Sequence, residues 1–386
     1  VFGDEHFHLH EDIFQLGFWP GGDRDGNPFV TAEVTQNVAS ELRLSILKEY
    51  YMHLKKINRR LSFRGVSEVL NDLMLDVYGA AFENKFIDSK VILSKISEAE
   101  KIVKEEHNSL FIDLLQNFKD RVKIFGTHFA TLDIRQDSRI HQSVIDEIYT
   151  TLFPGKEASN DEKFMALIEY SGTVDVNDFS EGTQDALATV KQIQTIQKQN
   201  GERGMNRYII SNSDAIKDVM NVYALFKICG YSDEEMKIDI IPLFETMEGL
   251  ENGESVMEAL YTHPVYQKHI QNRGGKQTIM LGFSDGTKDG GYLKANWEIY
   301  TTKEKLTRIS DQHHVKVVFF DGRGGPPARG GGKTHDFYAS QGKTIANNKI
   351  ELTIQGQTIT SVYGNVEQAK YNFEQLLTAG IETDVF

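Results

Sequence analysis

From residue 34 to about residue 124, apolar side chains return every three or four positions, as at Val34, Val38, Leu42 and Ile46, with charged residues between them. That period predicts amphipathic helices packed on one another, the first capped by Thr31, with breaks near Asn58 to Gly65 and at Gly79. The period then shortens. Ile124 to Arg135, IFGTHFATLDIR, reads as a strand that puts Asp133 and Arg135 on one side, with His128 a satisfied core or rim histidine. Residues 150 to 185 are polar, turn at Pro154-Gly155, and are expected to form a surface excursion between helices.

Apolar runs follow at Arg207–Ser211 (RYIIS), Ile238–Glu245 (IDIIPLFE), Gln277–Ser284 (QTIMLGFS) and Val315–Asp321 (VKVVFFD), each separated from the next by helix-like sequence. Continuous apolar runs are the pattern of strands buried on both faces, and their alternation with helices predicts parallel strands joined by crossovers. Ile350–Tyr363, around Gly356, predicts a strand or hairpin, and a last helix covers Val366–Leu377. Polar groups come directly after each strand, where a barrel keeps its active site. The expected fold is therefore α/β with predominant α: a (β/α)8 TIM-type barrel, incomplete in this chain and carrying large helical insertions. An open sheet would place the same groups at its carboxyl edge. Residues 1–120 would be a helical region and 121–386 the barrel portion.

Charge narrows the partners. The 386 residues carry 42 basic and 56 acidic side chains, a net charge of −14, with no basic face for nucleic acid. No apolar run is long enough for a bilayer, the N-terminus lacks a signal-peptide pattern, and Cys229 is the single cysteine. A soluble cytoplasmic protein with no membrane or nucleic-acid partner is expected.

The chemistry gathers after the strands. From Gly322 to Gly332 the chain is six glycines, two prolines, one alanine, Arg323 and Arg329. Glycine lets backbone N–H groups approach an anion, and guanidinium fits phosphate or carboxylate two bonds at a time, so the loop reads as an anion cradle. Glu245 and Asp285 close two different strands and are hard oxygen donors suited to Mg2+ or Mn2+, although each could instead cap the helix that follows. Lys288, in a glycine-flanked turn, is a charge contact to substrate. GGDRDGNP, with Asp23, Arg24 and Asp25, carries more charge than a connector needs, whereas His6, His8 and His10 complete no metal pattern.

Six segments, GFWPGGDRDGNPFVT (17–31), LDIRQDS (132–138), IISNS (209–213), PLFET (242–246), MLGFSDGTKDGG (280–291) and FDGRGGPPARGGG (320–332), resemble the bacterial and plant phosphoenolpyruvate carboxylases, in family order over essentially the whole chain. The resemblance implies a largely helical protein on a (β/α)8 barrel, usually a homotetramer, that adds bicarbonate to phosphoenolpyruvate with Mg2+ or Mn2+ to give oxaloacetate and phosphate. It makes Glu245 and Asp285 the metal ligands and Lys288, Arg323 and Arg329 the catalytic cations, with Arg135 and Arg24 binding substrate.

Two departures stand out. Asp321 takes a position that is histidine in many members, which is expected to remove a donor and add negative charge at the mouth. The family's proton-handling histidine lies in an upstream motif that these residues do not contain, and Thr262-His263-Pro264 is not its substitute. The chain is therefore expected to hold the middle of the enzyme, about six of the eight strands, and to lack full turnover alone. A non-catalytic phosphate- or carboxylate-binding scaffold is the alternative, and another barrel enzyme acting on phosphoenolpyruvate a more distant one.

Overall fold

The computed structural model describes residues 14–283, 291–324 and 331–385. The assignments at His6, His8, His10, Asp285, Lys288 and Arg329 lie outside the described residues. The chain divides into two compact units, Val1–Ile134 with Ala188–Arg207, and Arg135–Leu187 with Tyr208–Phe386.

The first unit is a helical array of α1 (Ala32–Asn58), α2 (Val66–Phe82), α3 (Ser89–Glu106) and α4 (Ile112–Phe125). Thr31 caps α1, its hydroxyl accepting the Val34 N–H at 3.3 Å. Ile46, Leu47, Tyr50, Leu54 and Ile57 of α1 enter a core shared with Leu70, Leu73, Ile92, Ile96 and Phe118. Val34, at the exposed first turn, does not. Each such side chain contributes ~1.5 to 3 kcal/mol on burial, against tenths for helix propensity, so packing rather than propensity holds these helices.

Two breaks differ from expectation. Gly79 lies inside α2, which ends three residues later, where the Glu83 N–H bonds back to the Gly79 carbonyl. The predicted strand at 124–135 is shorter because α4 runs through Ile124 and Phe125 and stops at Gly126, whose φ of 52° an L side chain would resist. A short β1 (Gly17–Phe18) pairs in parallel with β2 (Thr131–Leu132), and β3 (Ile134–Asp137) begins after Asp133. His128 sits in the turn before β2. Burial, with the Arg203 charge, pushes its imidazole down to about 4, so it is a neutral core group at pH 7.

The second unit is a six-stranded sheet in the order β3, β4 (Arg207–Ser211), β5 (Asp239–Phe244), β6 (Lys276–Gly282), β7 (Lys316–Gly322) and β8 (Ile350–Leu352). The four apolar runs all form strands, and the pairs from β5 to β8 are parallel, with Lys276↔Lys316 through Gly282↔Gly322 in register. Helices connect them: α5 (Ser138–Leu152), α6 (Asn160–Ile168) and α7 (Glu181–Asn200) before β4, α8 (Ile216–Ile228) before β5, and α9 (Met247–Thr262) and α10 (Pro264–Asn272) before β6. Next come α11 (Tyr292–Gln312) before β7 and α12 (Thr334–Ala339) before β8. The sheet is buried on both faces, as Ile240, Ile241, Leu243 and Phe244 on consecutive sides of β5 are all 1% exposed or less.

The polar stretch 150–185 is not simply an excursion. It holds α6, opened by a capping box of Ser159 and Glu162 and anchored by buried Phe164 and Leu167. Of the strand or hairpin expected over 350–363, the three-residue strand β8 forms, and α13 (Gly356–Tyr363) follows it and leads to α14 (Val366–Val385). β-Branched residues disfavour a helix weakly, and packing against α14, with Tyr363 and Phe373 rings 5.0 Å apart, overrides that preference. Among the described residues no helix is long and apolar enough to cross a membrane.

Candidate active site

The carboxyl edge of the sheet in the second unit is tied together by Asn212. This residue follows β4 in the left-handed region at φ 52°, which asparagine tolerates better than most side chains. Its backbone N–H donates to Glu245 Oε1 at 3.1 Å, its side-chain amide donates to Asp137 Oδ2 at 2.9 Å, and its carbonyl accepts from the Ser138 hydroxyl at 2.7 Å. One residue thus joins the ends of β3, β4 and β5.

Glu245 is half-buried at the end of β5. It does not cap the helix behind it. Thr246 does, accepting the Gly249 N–H at 2.9 Å and donating to Asp214 Oδ1 at 3.3 Å. On the other side β6 presses against it so closely that a Cβ on Gly282 would lie 2.5 Å from the Glu245 Cβ. Glycine at 282 is what lets the end of β6 pass beside Glu245.

The surroundings are acidic. Burial raises the Asp214 carboxyl, with the Asp218 and Glu248 charges adding to it against the Thr246 hydrogen bond; burial likewise raises Asp218. At Asp137 burial pushes upward too, but hydrogen bonds and charge from Arg139 and the Asn212 amide outweigh it and hold the group below the usual range. These aspartates are engaged by Arg139, Asn212, backbone N–H groups and Thr246, and Glu245 is a further carboxylate at this edge, an oxygen donor of the kind a hard cation takes. Among the described residues no group of three or more histidine, cysteine or carboxylate side chains is placed to hold a metal ion.

A family profile described as phosphoenolpyruvate carboxylase matches residues 2–84 and 79–386. The chain belongs to the phosphoenolpyruvate carboxylase family. It is 30% identical over 431 aligned positions to a phosphoenolpyruvate carboxylase of Nitrosomonas europaea, and 30% over 426 to one of Nitrosomonas eutropha. In each case 96% of this chain aligns with 46% of the relative, so the chain spans about half the length of the curated relatives it matches.

The other assigned residues fall as follows. Arg135 is half-buried on β3, two positions before Asp137 and on the same side of the strand. Arg323 follows β7 and is 6% exposed, its guanidinium carbon 4.1 Å from the centre of the Phe337 ring. Arg24 belongs to the first unit, where it is buried and donates to the Thr35 hydroxyl at 3.3 Å. Its motif folds back on the strand end: Trp19 Nε1 donates to Asp133 Oδ2 at 2.9 Å, and a Cβ on Gly22 would lie 2.0 Å from the Asp133 carbonyl oxygen.

Asp321 is a correction. Its carboxylate does not face the mouth but is 1% exposed, 2.7 Å from Lys303 Nζ and accepting the Tyr338 hydroxyl at 2.8 Å. The negative charge expected at the mouth is neutralised inside the protein. His263 joins α9 to α10 and packs edge-on against Phe164, 5.7 Å between ring centres.

Sequence reasoning placed Asn212 in the IISNS segment after its strand without giving it a role, and passed over Lys303. A signal existed for the second: Lys303 falls on the apolar stripe of α11, four residues after Ile299 and three before Leu306, where a lysine needs a buried partner.

Proposed function

We propose that this chain contributes the metal site and the anion loop of a phosphoenolpyruvate carboxylase, in which bicarbonate adds to phosphoenolpyruvate to give oxaloacetate and phosphate. Six strands in strict sequential order, parallel from β5 to β8 and connected through helices, fit an arc of a (β/α)8 barrel, with residues 1–120 as the helical region and 121–386 as the barrel portion. Glu245 and Asp285 hold Mg2+ or Mn2+, which supplies positive charge to phosphate and enolate oxygens. Arg135 and Arg24 bind the substrate phosphate and carboxylate. Lys288, Arg323 and Arg329 stabilise the carboxyphosphate and the enolate of pyruvate formed when bicarbonate oxygen attacks phosphorus and the enolate departs; carboxyphosphate then breaks to CO2 and phosphate, and the enolate carbon takes up the CO2. Preorganised donors of this kind contribute ~3 to 4 kcal/mol each where water is excluded. The assembly is a homotetramer in the cytoplasm, with no nucleic-acid or membrane partner.

The observation that carries this reading is the carboxylate of Glu245, left half-exposed at a strand end whose neighbour is trimmed to glycine beside it. Calorimetry of the chain with Mn2+ and then phosphoenolpyruvate tests it, alongside an assay of bicarbonate-dependent oxaloacetate formation. Metal-dependent uptake of phosphoenolpyruvate that is lost in Glu245→Gln is expected. Uptake without any turnover, in a chain joined to the remaining family segments, would favour the non-catalytic scaffold; absence of metal-dependent uptake sinks both.

A further inference from the structure

At the foot of the glycine and arginine loop, two residues with no assigned role meet a third. Asp321 is the last residue but one of β7, immediately before the loop, and Tyr338 lies on α12, the first helix after it. Their hydrogen bond, 2.8 Å long, spans a sequence separation of 17 and closes the loop at its base. Lys303 Nζ lies 2.7 Å from the other carboxylate oxygen, as an ion-pair contact rather than an aligned hydrogen bond. The three side chains are nearly dry. The cavity beside them, also lined by Gln341 and Asn347, measures about 10 Å³, at the limit for one water molecule.

A dry ion pair is a poor source of stability, because desolvation cancels most of the attraction and an apolar set of similar volume serves as well. Its surroundings suggest what it does instead. Phe337, next to Tyr338, has the Arg323 guanidinium 4.1 Å from its ring centre and Lys303 Nζ at 5.3 Å. Thr353, directly after β8, grips the same stretch, its N–H donating to the Asp321 carbonyl at 3.0 Å and its hydroxyl to the Arg323 carbonyl at 2.9 Å. Residues 321 to 323 are thereby held from both sides, and the arginine is seated on an aromatic ring whose helix is bonded to Asp321.

We propose that Lys303 and Tyr338 are positioning residues for the anion site: by pinning Asp321 and seating Phe337, they fix the guanidinium of Arg323 where it meets the phosphate or carboxylate of the substrate. This rests on the assignment of Arg323 as a substrate contact. Neither residue touches substrate, and both act through the arginine.

The test uses the full chain with Tyr338→Phe, which keeps the ring, and with Arg323→Ala and the double variant. Calorimetric titration with phosphoenolpyruvate in Mn2+ is expected to show about 5- to 10-fold weaker binding for Tyr338→Phe, the size of one hydrogen bond. Adding Tyr338→Phe to Arg323→Ala should cost nothing more, because the hydroxyl acts through the missing arginine. Mn2+ affinity alone should stay at the wild-type value. Unchanged phosphoenolpyruvate binding in Tyr338→Phe, or losses that add in the double variant, overturns the proposal. Hydrogen exchange supplies a readout that needs no ligand: Tyr338→Phe should speed exchange at amides 331–340 while β5 and β6 keep wild-type rates, and unaltered rates at 331–340 also overturn it. Faster exchange in a protein whose wild-type form takes up no phosphoenolpyruvate would remove the substrate assignment of Arg323 and leave the clamp on the loop standing.

Discussion

Two strands of one sheet end in a carboxylate, and the fold treats them in opposite ways. Asp321 on β7 is 1% exposed, with a lysine on one oxygen and a tyrosine hydroxyl on the other. Glu245 at the end of β5 is half-buried, accepts a backbone N–H from Asn212, and stands in a neighbourhood where burial and like charge push Asp214 and Asp218 upward. Position at a strand end is thus a weak guide to chemistry. What separates the two in the contacts described is that Asp321 is paired with a lysine built into the core, whereas Glu245 accepts a backbone N–H at the sheet edge, near carboxyls that burial and like charge push upward.

The contrast breaks most visibly at Lys303. Burial pushes the Lys303 ammonium down and the Asp321 charge pushes it back up, so the pair stands or falls together. Lys303→Met leaves a carboxylate buried without its cation and is expected to cost ~3 to 5 kcal/mol, read as a drop in the urea midpoint. Adding Asp321→Asn should recover most of that, because the stranded charge goes too. A single variant as stable as the wild type would mean that Asp321 reaches water by some other route and that the two strand ends are alike after all.

Gly282→Ala attacks the other end. Its Cβ would sit 2.5 Å from that of Glu245, and neither strand can withdraw without loosening the sheet. We expect a loss of ~1 to 3 kcal/mol from overpacking, together with weaker Mn2+ binding as Glu245 is displaced. Full stability with unaltered metal affinity would show that the close approach at 282 does not set the carboxylate.

Legibility in the sequence followed the same divide. The four strands RYIIS, IDIIPLFE, QTIMLGFS and VKVVFFD were visible because a strand buried on both faces writes an uninterrupted apolar run. The reach of α4 to Phe125 was not, since Ile124 and Phe125 suit a helix end and a strand equally, and only the positive φ at Gly126 separates them. α13 was missed because β-branched residues argue locally for a strand while tertiary packing decides otherwise. At the site, Glu245 could be picked out as a carboxylate in a motif, but whether it capped α9 depended on Thr246, one residue on. The burial of Asp321 depended on Lys303 and Tyr338, which no local pattern connects to it.

A smaller effect is expected from Asn212→Gly. Glycine keeps the left-handed backbone and the N–H donated to Glu245, and removes only the amide bond to Asp137, for a cost of ~1 kcal/mol. Asn212→Val should cost more, because a β-branched residue resists φ 52°. Equal melting points for the two variants would mean that the backbone conformation at 212 carries none of the constraint.

The smallest change in stability is expected where the largest change in chemistry is. Glu245→Gln keeps an oxygen to accept the Asn212 N–H and changes only the charge of a half-buried group at the sheet edge. The urea midpoint should therefore move by no more than ~0.5 kcal/mol in either direction, as for substitutions outside packed features. Mn2+ binding, followed by the loss of free-ion paramagnetic signal, should fall below detection, because an amide oxygen neither replaces the lost charge nor competes with water for a hard cation. A variant that unfolds would place Glu245 with Asp321 among the groups the fold consumes for itself. One that folds and still binds the metal would move the ion to a different strand end.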